Sequence, residues 1–114
     1  MSAEAAPRSS SPIGGAPWTF RVVQDDPLVV ALGGELDTMT GPLMGERLFE
    51  ALKGSTGPAR IELDDVTFID SQGLSTLIEG HQLDPKRRIT LANPRANVRR
   101  LIEITGLAQV FPIE

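Results

Sequence analysis

The sequence contains no cysteine and no tyrosine, and aromatic residues make up only 4% of its 114 residues. Without cysteine the chain cannot form disulfides, bind zinc through thiolates or use a cysteine nucleophile. No stretch approaches the ~18 consecutive apolar residues of a membrane span. The N-terminus has no apolar signal core either. These absences predict a protein that does not insert into a membrane, and we expect it to be cytoplasmic.

Basic residues are outnumbered by acidic ones, with 11 Lys and Arg against 15 Asp and Glu, for a net charge of −4. Because nucleic-acid binding needs a basic surface, this balance argues against a nucleic-acid partner. The hydrophobic fraction of 40% and the charged fraction of 23% are those of an ordinary globular protein. The length suits one domain with a small core.

The first 17 residues are rich in Ser, Ala, Pro and Gly. Such a segment buries too little apolar surface to offset the entropy lost on ordering. We therefore predict a flexible tail over residues 1–17 and a single domain over residues 18–114.

Apolar patterning of the domain predicts strands alternating with helices. Runs with period two or continuous apolar character predict strands at residues 18–24, 28–32, 60–64, 89–91 and 110–113, and an apolar run over residues 66–69 leads to the second helix. Helical spacing predicts three helices, the first capped by Thr40, the second opening near Ser71 and the third opening at Asn93 and Pro94. This order predicts an α/β fold: a mostly parallel sheet of four to five strands, with an antiparallel N-terminal hairpin strand, packed by about three helices.

The segment that ends Phe68-Ile69-Asp70-Ser71-Gln72-Gly73-Leu74 carries the clearest functional signal. Ser71 falls at the start of a predicted helix, where backbone N–H groups lack partners and the helix dipole is positive. A phosphate on an exposed hydroxyl would be well tolerated at that position. The simpler alternative is that Ser71 only caps or turns the chain.

Catalysis by Ser71 is not supported by its surroundings. The Gly-x-Ser-x-Gly elbow of serine hydrolases is half present, because Ile69 stands where the first glycine belongs. The sole histidine, His81, lies ten residues further along the same predicted helix, or ~15 Å away at 1.5 Å per residue. The sequence therefore predicts no catalytic residues and no enzyme.

Metal and cofactor sites are likewise not expected. His81 lies on the apolar face of its helix without a second histidine, which favours a packing role over metal ligation. The acidic residues near the predicted strand ends could hold magnesium, but loop capping is the simpler interpretation; they are Glu35, Asp37, Asp64, Asp65 and Asp70. The basic residues of the third helix and of residues 86–88 are expected to lie on a solvated exterior.

Three segments resemble the STAS domain of anti-sigma-factor antagonists. They are Gly34-Glu35-Leu36-Asp37, Phe68-Ile69-Asp70-Ser71-Gln72-Gly73-Leu74 and Asn93-Pro94 with Val98-Arg99-Arg100-Leu101 and Thr105-Gly106-Leu107. The similarity covers about residues 20–113, with the segments in the family's order. It implies a STAS-like fold.

The resemblance also implies a phosphorylation switch. In such antagonists the serine after the aspartate, here Ser71, is phosphorylated by a partner anti-sigma factor that is also a serine kinase. The unphosphorylated antagonist binds that kinase, and a PP2C-type phosphatase resets the switch. Transcription is thereby regulated indirectly. The implied partner-binding residues are Asp37, Thr38, Asp70, Ser71, Gln72 and Gly73.

The sequence departs from the family at a few points. Gln72 stands where Ser or Thr is common, and the connection from the Ser71 helix to Ile89 is slightly short. The chain ends without the closing helix of many members, so part of the core would need other cover, for example in a homodimer. A second interpretation is a non-switching STAS scaffold subunit, in a signalling complex or an ABC-type lipid transporter.

Overall fold

The computed structural model describes Ser9–Ser10 and residues 18–114, which form a five-stranded mixed sheet and three α-helices. The strands are β1 (Ser9–Ser10), β2 (Trp18–Asp25), β3 (Leu28–Leu36), β4 (Ala59–Ile69) and β5 (Ile89–Ala92). The helices are α1 (Gly41–Lys53), α2 (Ser71–Gln82) and α3 (Ala96–Ile104), followed by a short 3-10 helix (Leu107–Gln109).

The strands lie in the sheet in the order in which they occur in the chain. β1, β2 and β3 pair antiparallel, whereas β3, β4 and β5 pair parallel through helical crossovers. This arrangement confirms the predicted fold class. The predicted tail, residues 1–17, lies outside the described residues except for Ser9–Ser10, which pair with Arg21 and Phe20.

A single hydrophobic core covers one face of the sheet. Val30, Ile61 and Leu91 are successive ladder partners on β3, β4 and β5, and all three are buried. Buried residues of every α-helix join them in the same cluster, including Leu48, Leu77 and Ile102. On β2 and β4 the alternate positions, such as Arg21, Arg60 and Glu62, are partly or fully exposed, whereas all four residues of β5 are buried.

Strands β3 and β4 are longer than their apolar patterns predicted. The expected end of β3 at Leu32 is wrong, because β3 continues through two glycines to Leu36. The strand predicted at residues 60–64 continues through the apolar run to Ile69 as β4. The register between β3 and β4 shifts at two places. The strands therefore stay paired even where buried and exposed residues no longer alternate.

The start of α3 and the end of the chain also differ from prediction. Asn93 does not cap α3: its φ is 55°, its N–H donates to the carbonyl of Glu114, and the helix begins at Ala96. The predicted last strand is reduced to a bridge between Ile113 and Leu91. The amide of Phe111 still bonds to the carbonyl of Leu107, so pairing with β5 cannot begin earlier.

The N-terminal end of α3 closes the free edge of β4. β5 pairs with β4 only as far as Glu62. Beyond that point Arg95 donates from Nε to the carbonyl of Asp64 at 2.8 Å, and Asn97 donates from Nδ2 to the carbonyl of Thr67 at 3.0 Å. These two bonds satisfy strand carbonyls that no neighbouring strand reaches. Arg95 therefore has a structural contact beyond the solvated exterior that we predicted.

Candidate functional site

The parallel strands β3 and β4 end side by side, and each is followed directly by an aspartate. Leu36 and Ile69, the last residues of β3 and β4, are ladder partners and are buried. Asp37 and Asp70 follow them directly. The backbone N–H of Asp70 donates to the carbonyl of Leu36 at 3.3 Å, which fixes the start of α2 against the end of β3. Ligand and partner sites often lie at such carboxyl edges of parallel sheets.

The loop after β3 is organised around the Asp37 carboxylate. Its Oδ1 accepts hydrogen bonds from the N–H of Met39 at 2.9 Å and of Thr40 at 3.0 Å. The bond from Thr40 is the main cause that lowers the pKa of Asp37 below its usual 3.8, with the Met39 bond adding to it. Asp37 therefore stays charged at neutral pH.

Thr40 lies at the N-cap position of α1, but its side chain does not cap the helix as predicted. The buried hydroxyl instead donates to the carbonyl of Glu35 at 2.5 Å and accepts from the N–H of Asp37 at 2.9 Å. Both contacts lie before the helix, so Thr40 holds the loop in shape. Its burial makes it unavailable to a partner.

Asp70 caps α2 and is also close to the neighbouring loop. Its backbone is extended, and its Oδ1 accepts from the N–H of Gly73 at 2.9 Å, as an N-cap carboxylate should. The other carboxylate oxygen lies 3.5 Å from the exposed hydroxyl of Thr38. The two loops that carry the aspartates are therefore in contact.

Gly73 lets α2 begin this close to β3. A Cβ atom at this position would lie 2.2 Å from the carbonyl oxygen of Leu36 and 2.8 Å from the side chain of Ile69. No residue with a side chain fits there without moving backbone. Gly73 is buried, so its part in the site is to position its neighbours and not to contact a partner through a side chain.

Ser71 and Gln72 form the exposed first turn of α2. Within the described part of the chain, no group hydrogen-bonds to the Ser71 hydroxyl. Asp70 caps this turn, so the side chain of Ser71 is not the cap of α2. The hydroxyl thus has no hydrogen-bond partner among the described residues and lies in the exposed first turn of α2, directly after Asp70.

The other candidate groups take structural positions. His81 is half-buried, and its ring meets that of Phe111 edge to face with centroids 5.5 Å apart, in keeping with a packing role. Over Ser9–Ser10 and residues 18–114, no three His, Asp or Glu side chains are grouped so as to hold a metal ion. No helix in these ranges has the length and apolar composition to cross a bilayer.

Sequence reasoning missed three exposed apolar side chains that flank the two aspartates along the chain. Met39 is 81% exposed, Leu43 50% and Phe68 47%. Met39 and Phe68 each lie two residues from one of the aspartates. One signal was available: Leu43 lies outside the apolar stripe of α1, which is formed by Met44, Leu48 and Leu52. An apolar residue that lies outside the buried stripe of a helix is expected to have an exposed side chain.

The charged side chains that the strand ends bring to this edge are acidic. Asp37 and Asp70 directly follow the paired ends of β3 and β4, while Glu46 and Arg47 of α1 offset each other. The edge therefore presents two carboxylates, an exposed hydroxyl and exposed apolar side chains.

The chain belongs to the STAS domain family. A family model described as "Mlab, STAS domain" matches residues 20–113. This agrees with the range over which the three sequence segments resemble that family, and with the mixed sheet and three helices.

Within the family, the chain is similar to anti-sigma-factor antagonists. It is 30% identical to the anti-sigma-B factor antagonist of Bacillus subtilis (strain 168), over 78% of this chain and 83% of that protein. It is 34% identical to the anti-sigma-B factor antagonist of Staphylococcus aureus (strain NCTC 8325 / PS 47), over 79% and 85%. A crystal structure of an anti-sigma factor antagonist from Mycobacterium paratuberculosis superposes with a TM-score of 0.75, at 29% identity and 84% coverage of both chains.

These similarities support an antagonist role for this chain. The relatives are named for regulating another protein and not for a reaction, which confirms the prediction that the chain is not an enzyme.

Proposed function

We propose that the protein binds an anti-sigma factor when Ser71 is unphosphorylated, and that phosphorylation of Ser71 by that partner, acting as a serine kinase, releases it. The observation that carries the proposal is the exposed Ser71 hydroxyl, which is free at the N-terminus of α2 because Asp70 already caps the helix. A PP2C-type phosphatase would remove the phosphate, and the effect on transcription is indirect. A cytoplasmic location follows from that role.

A phosphate at this position would disturb an interface more than the fold. It adds about −1.5 to −2 charges at pH 7. The helix N-terminus stabilises such a charge by roughly 0.3–1 kcal/mol when it is exposed to water. Under a bound partner, the same charge would lose its water next to Asp70 and near Asp37, so repulsion and desolvation would oppose binding.

The proposed contact surface consists of Asp37, Thr38, Asp70, Ser71 and Gln72. Thr38, Ser71 and Gln72 are exposed, and both aspartates are partly exposed. Gly73 belongs to the same turn, but it is buried and positions its neighbours. The alternative of a non-switching scaffold subunit would use the same fold without needing the Ser71 hydroxyl.

The experiment measures binding to each purified anti-sigma factor of the source organism by calorimetry. We expect wild type and Ser71→Ala to bind one of them, and Ser71→Asp to bind at least about a hundredfold more weakly, which corresponds to ~3 kcal/mol. ATP should then add one phosphate to wild type, seen by mass spectrometry, and none to Ser71→Ala.

Ser75→Asp is the matched control, because Ser75 lies one turn further along α2 and its hydroxyl is already engaged with the carbonyl of Ser71 at 3.0 Å. Its binding should stay closer to that of wild type than that of Ser71→Asp does. Equal binding of wild type and Ser71→Asp, with no phosphate transfer, would favour the scaffold interpretation. A lowered melting temperature of Ser71→Asp would make Ser71 a structural residue instead.

A further inference from the structure

We propose that Met39 and Leu43 form an apolar anchor that inserts into a pocket of the partner, and that the rim of this pocket is basic. This inference rests on the proposed function and adds the chemistry of the partner. The anchor supplies most of the affinity of the complex, and phosphorylation of Ser71 decides whether the complex forms.

The exposure of the two side chains is the first observation. Met39 is 81% exposed, the highest value among the large apolar residues in the described part of the chain, and Leu43 is 50% exposed. Neither contributes to the core, which α1 reaches through Met44, Leu48 and Leu52. Exposed apolar side chains near one another are typical of protein–protein contact sites, where a few such residues supply most of the affinity.

Met39 lies in the turn that leads into α1, four residues before Leu43 in the first turn of that helix. The helical hydrogen-bond pattern starts before Gly41, because the N–H of Gly41 donates to the carbonyl of Asp37 at 2.7 Å and that of Met44 to Thr40 at 2.9 Å. Residues four apart in a helical turn are neighbours on its surface. This spacing places Met39 and Leu43 as neighbours, and we call the pair the ridge.

The ridge is held rigidly relative to Ser71. The N–H of Met39 is bonded to the Asp37 carboxylate at 2.9 Å. The start of α1 packs on α2 through Gly41, where an added Cβ would lie 2.9 Å from the hydroxyl of Thr76. Thr76 in turn bonds to the carbonyl of Gln72 at 3.2 Å, in the first turn of α2. A backbone that is ordered before binding loses less entropy in the complex.

The charge around the ridge defines the partner. The Asp37 carboxylate accepts a hydrogen bond from the N–H of Met39, and the Asp70 carboxylate lies 3.5 Å from the hydroxyl of the adjacent Thr38. On the other side of Leu43, Glu46 and Arg47 offset each other in charge. The two carboxylates favour a partner with basic groups around its apolar pocket. The thioether and aliphatic chain of methionine adapt to pockets of different shape. The expected partner surface is thus an apolar groove bordered by Lys or Arg.

The test uses the anti-sigma factor that binds the wild-type protein. Its affinity for Met39→Gln, for Leu43→Gln and for the double variant is measured at several NaCl concentrations. We expect the double variant to bind at least about tenfold more weakly, with the same dependence of affinity on salt as wild type. Each single variant should show part of this loss. Wild-type binding itself should weaken as salt rises, because the basic rim is screened.

Ile104→Gln is the matched control. Ile104 is also apolar and 68% exposed, but it lies at the far end of α3. Its affinity should equal that of wild type. Melting of every variant, followed by circular dichroism, shows whether it is folded. If the double variant is unstable, the affinity of Met39→Gln compared with wild type tests the anchor.

The outcomes separate this inference from the proposed function. If wild type binds and the double variant binds equally well, the anchor is wrong while the Ser71 switch stands. If binding does not change with salt, the basic rim is wrong. If wild type binds no anti-sigma factor, the proposed function fails and the anchor fails with it.

Discussion

A single arginine closes the loop that follows α1. Arg87 donates from Nη1 to the carbonyl of Leu52 at 2.7 Å, from Nε to that of Gly57 at 2.6 Å and from Nη2 to the hydroxyl of Ser55 at 2.6 Å. Leu52 is in the last turn of α1, where carbonyls lack helical partners and the dipole is negative. A guanidinium from a distant part of the chain thus acts as a C-terminal cap.

Replacement of Arg87 by alanine should therefore lower the stability of the fold. Several carbonyls would lose a charged donor at once, and hydrogen bonds to charged groups contribute about 1.5–3 kcal/mol. We expect a loss of free energy of unfolding in that range, measured by urea denaturation. Arg87→Lys should recover only part of it, because an ammonium cannot reproduce the planar fork.

Arg88→Ala provides the comparison for this prediction. Arg88 is exposed, and within the described residues its side chain makes no hydrogen bond or ion pair. Its loss should change the free energy of unfolding by less than about 0.5 kcal/mol. Equal effects of the two substitutions would show that the cap contributes nothing specific.

At the scale of elements, the start of α2 depends on the absence of a side chain at Gly73. We expect Gly73→Ala to cost about 3 kcal/mol or more, or to prevent folding, because the added Cβ would lie 2.2 Å from a backbone carbonyl oxygen. Chemical denaturation followed by circular dichroism measures the loss.

Gly54→Ala is the control for this substitution. Gly54 has a φ of −83°, which alanine adopts readily, and the nearest atom to its Cβ would be 3.4 Å away. Its stability should stay within about 1 kcal/mol of wild type. A tolerated alanine at Gly73 would mean that α2 can move away from β3.

The elements that could be predicted are those with a clear apolar period. The stripe of α1, the cap of α2 within the Asp-Ser-x-Gly motif and the left-handed Gly106 after α3 all have local signals. The course of β3 through two glycines had none, since bulges depend on the neighbouring strand.

The details of the site were less predictable than its position. The place of Asp37 and Asp70 followed from strand ends and from the family resemblance. The contacts of Thr40 could not be predicted, because they depend on how the loop folds back on β3. The exposure of Met39 likewise depends on tertiary packing, which a sequence pattern does not specify.

At the scale of the whole molecule, the C-terminal residues belong to the same core as the first strands. Phe111 is completely buried and touches His81 of α2, while Trp18 and Phe20 of β2 join the same cluster. Because one core includes both ends of the domain, the molecule should unfold in a single cooperative transition.

Phe111→Ala tests this cooperativity. Removal of a buried phenylalanine ring should cost about 3–5 kcal/mol through lost burial and the cavity left behind. The dependence of the free energy on urea concentration should keep its wild-type slope, since the same surface is exposed on unfolding.

Val110→Ala, at the neighbouring position where the side chain is 42% exposed, is the reference for this measurement. It should cost less than about 1 kcal/mol. Two separate transitions in Phe111→Ala, detected by fluorescence of Trp18 and by circular dichroism, would show that the C-terminal segment unfolds independently.

The close approach at Gly73 has a consequence for genetics. A random-mutagenesis screen for loss of signalling would recover substitutions at Gly73 as readily as at Ser71, although Gly73 offers no side chain to a partner. Cells carrying a Gly73 allele would contain little of the protein, whereas those carrying a Ser71 allele would contain normal amounts. Immunoblotting of the recovered alleles would therefore sort the mutations of this motif into two groups before any interaction is measured.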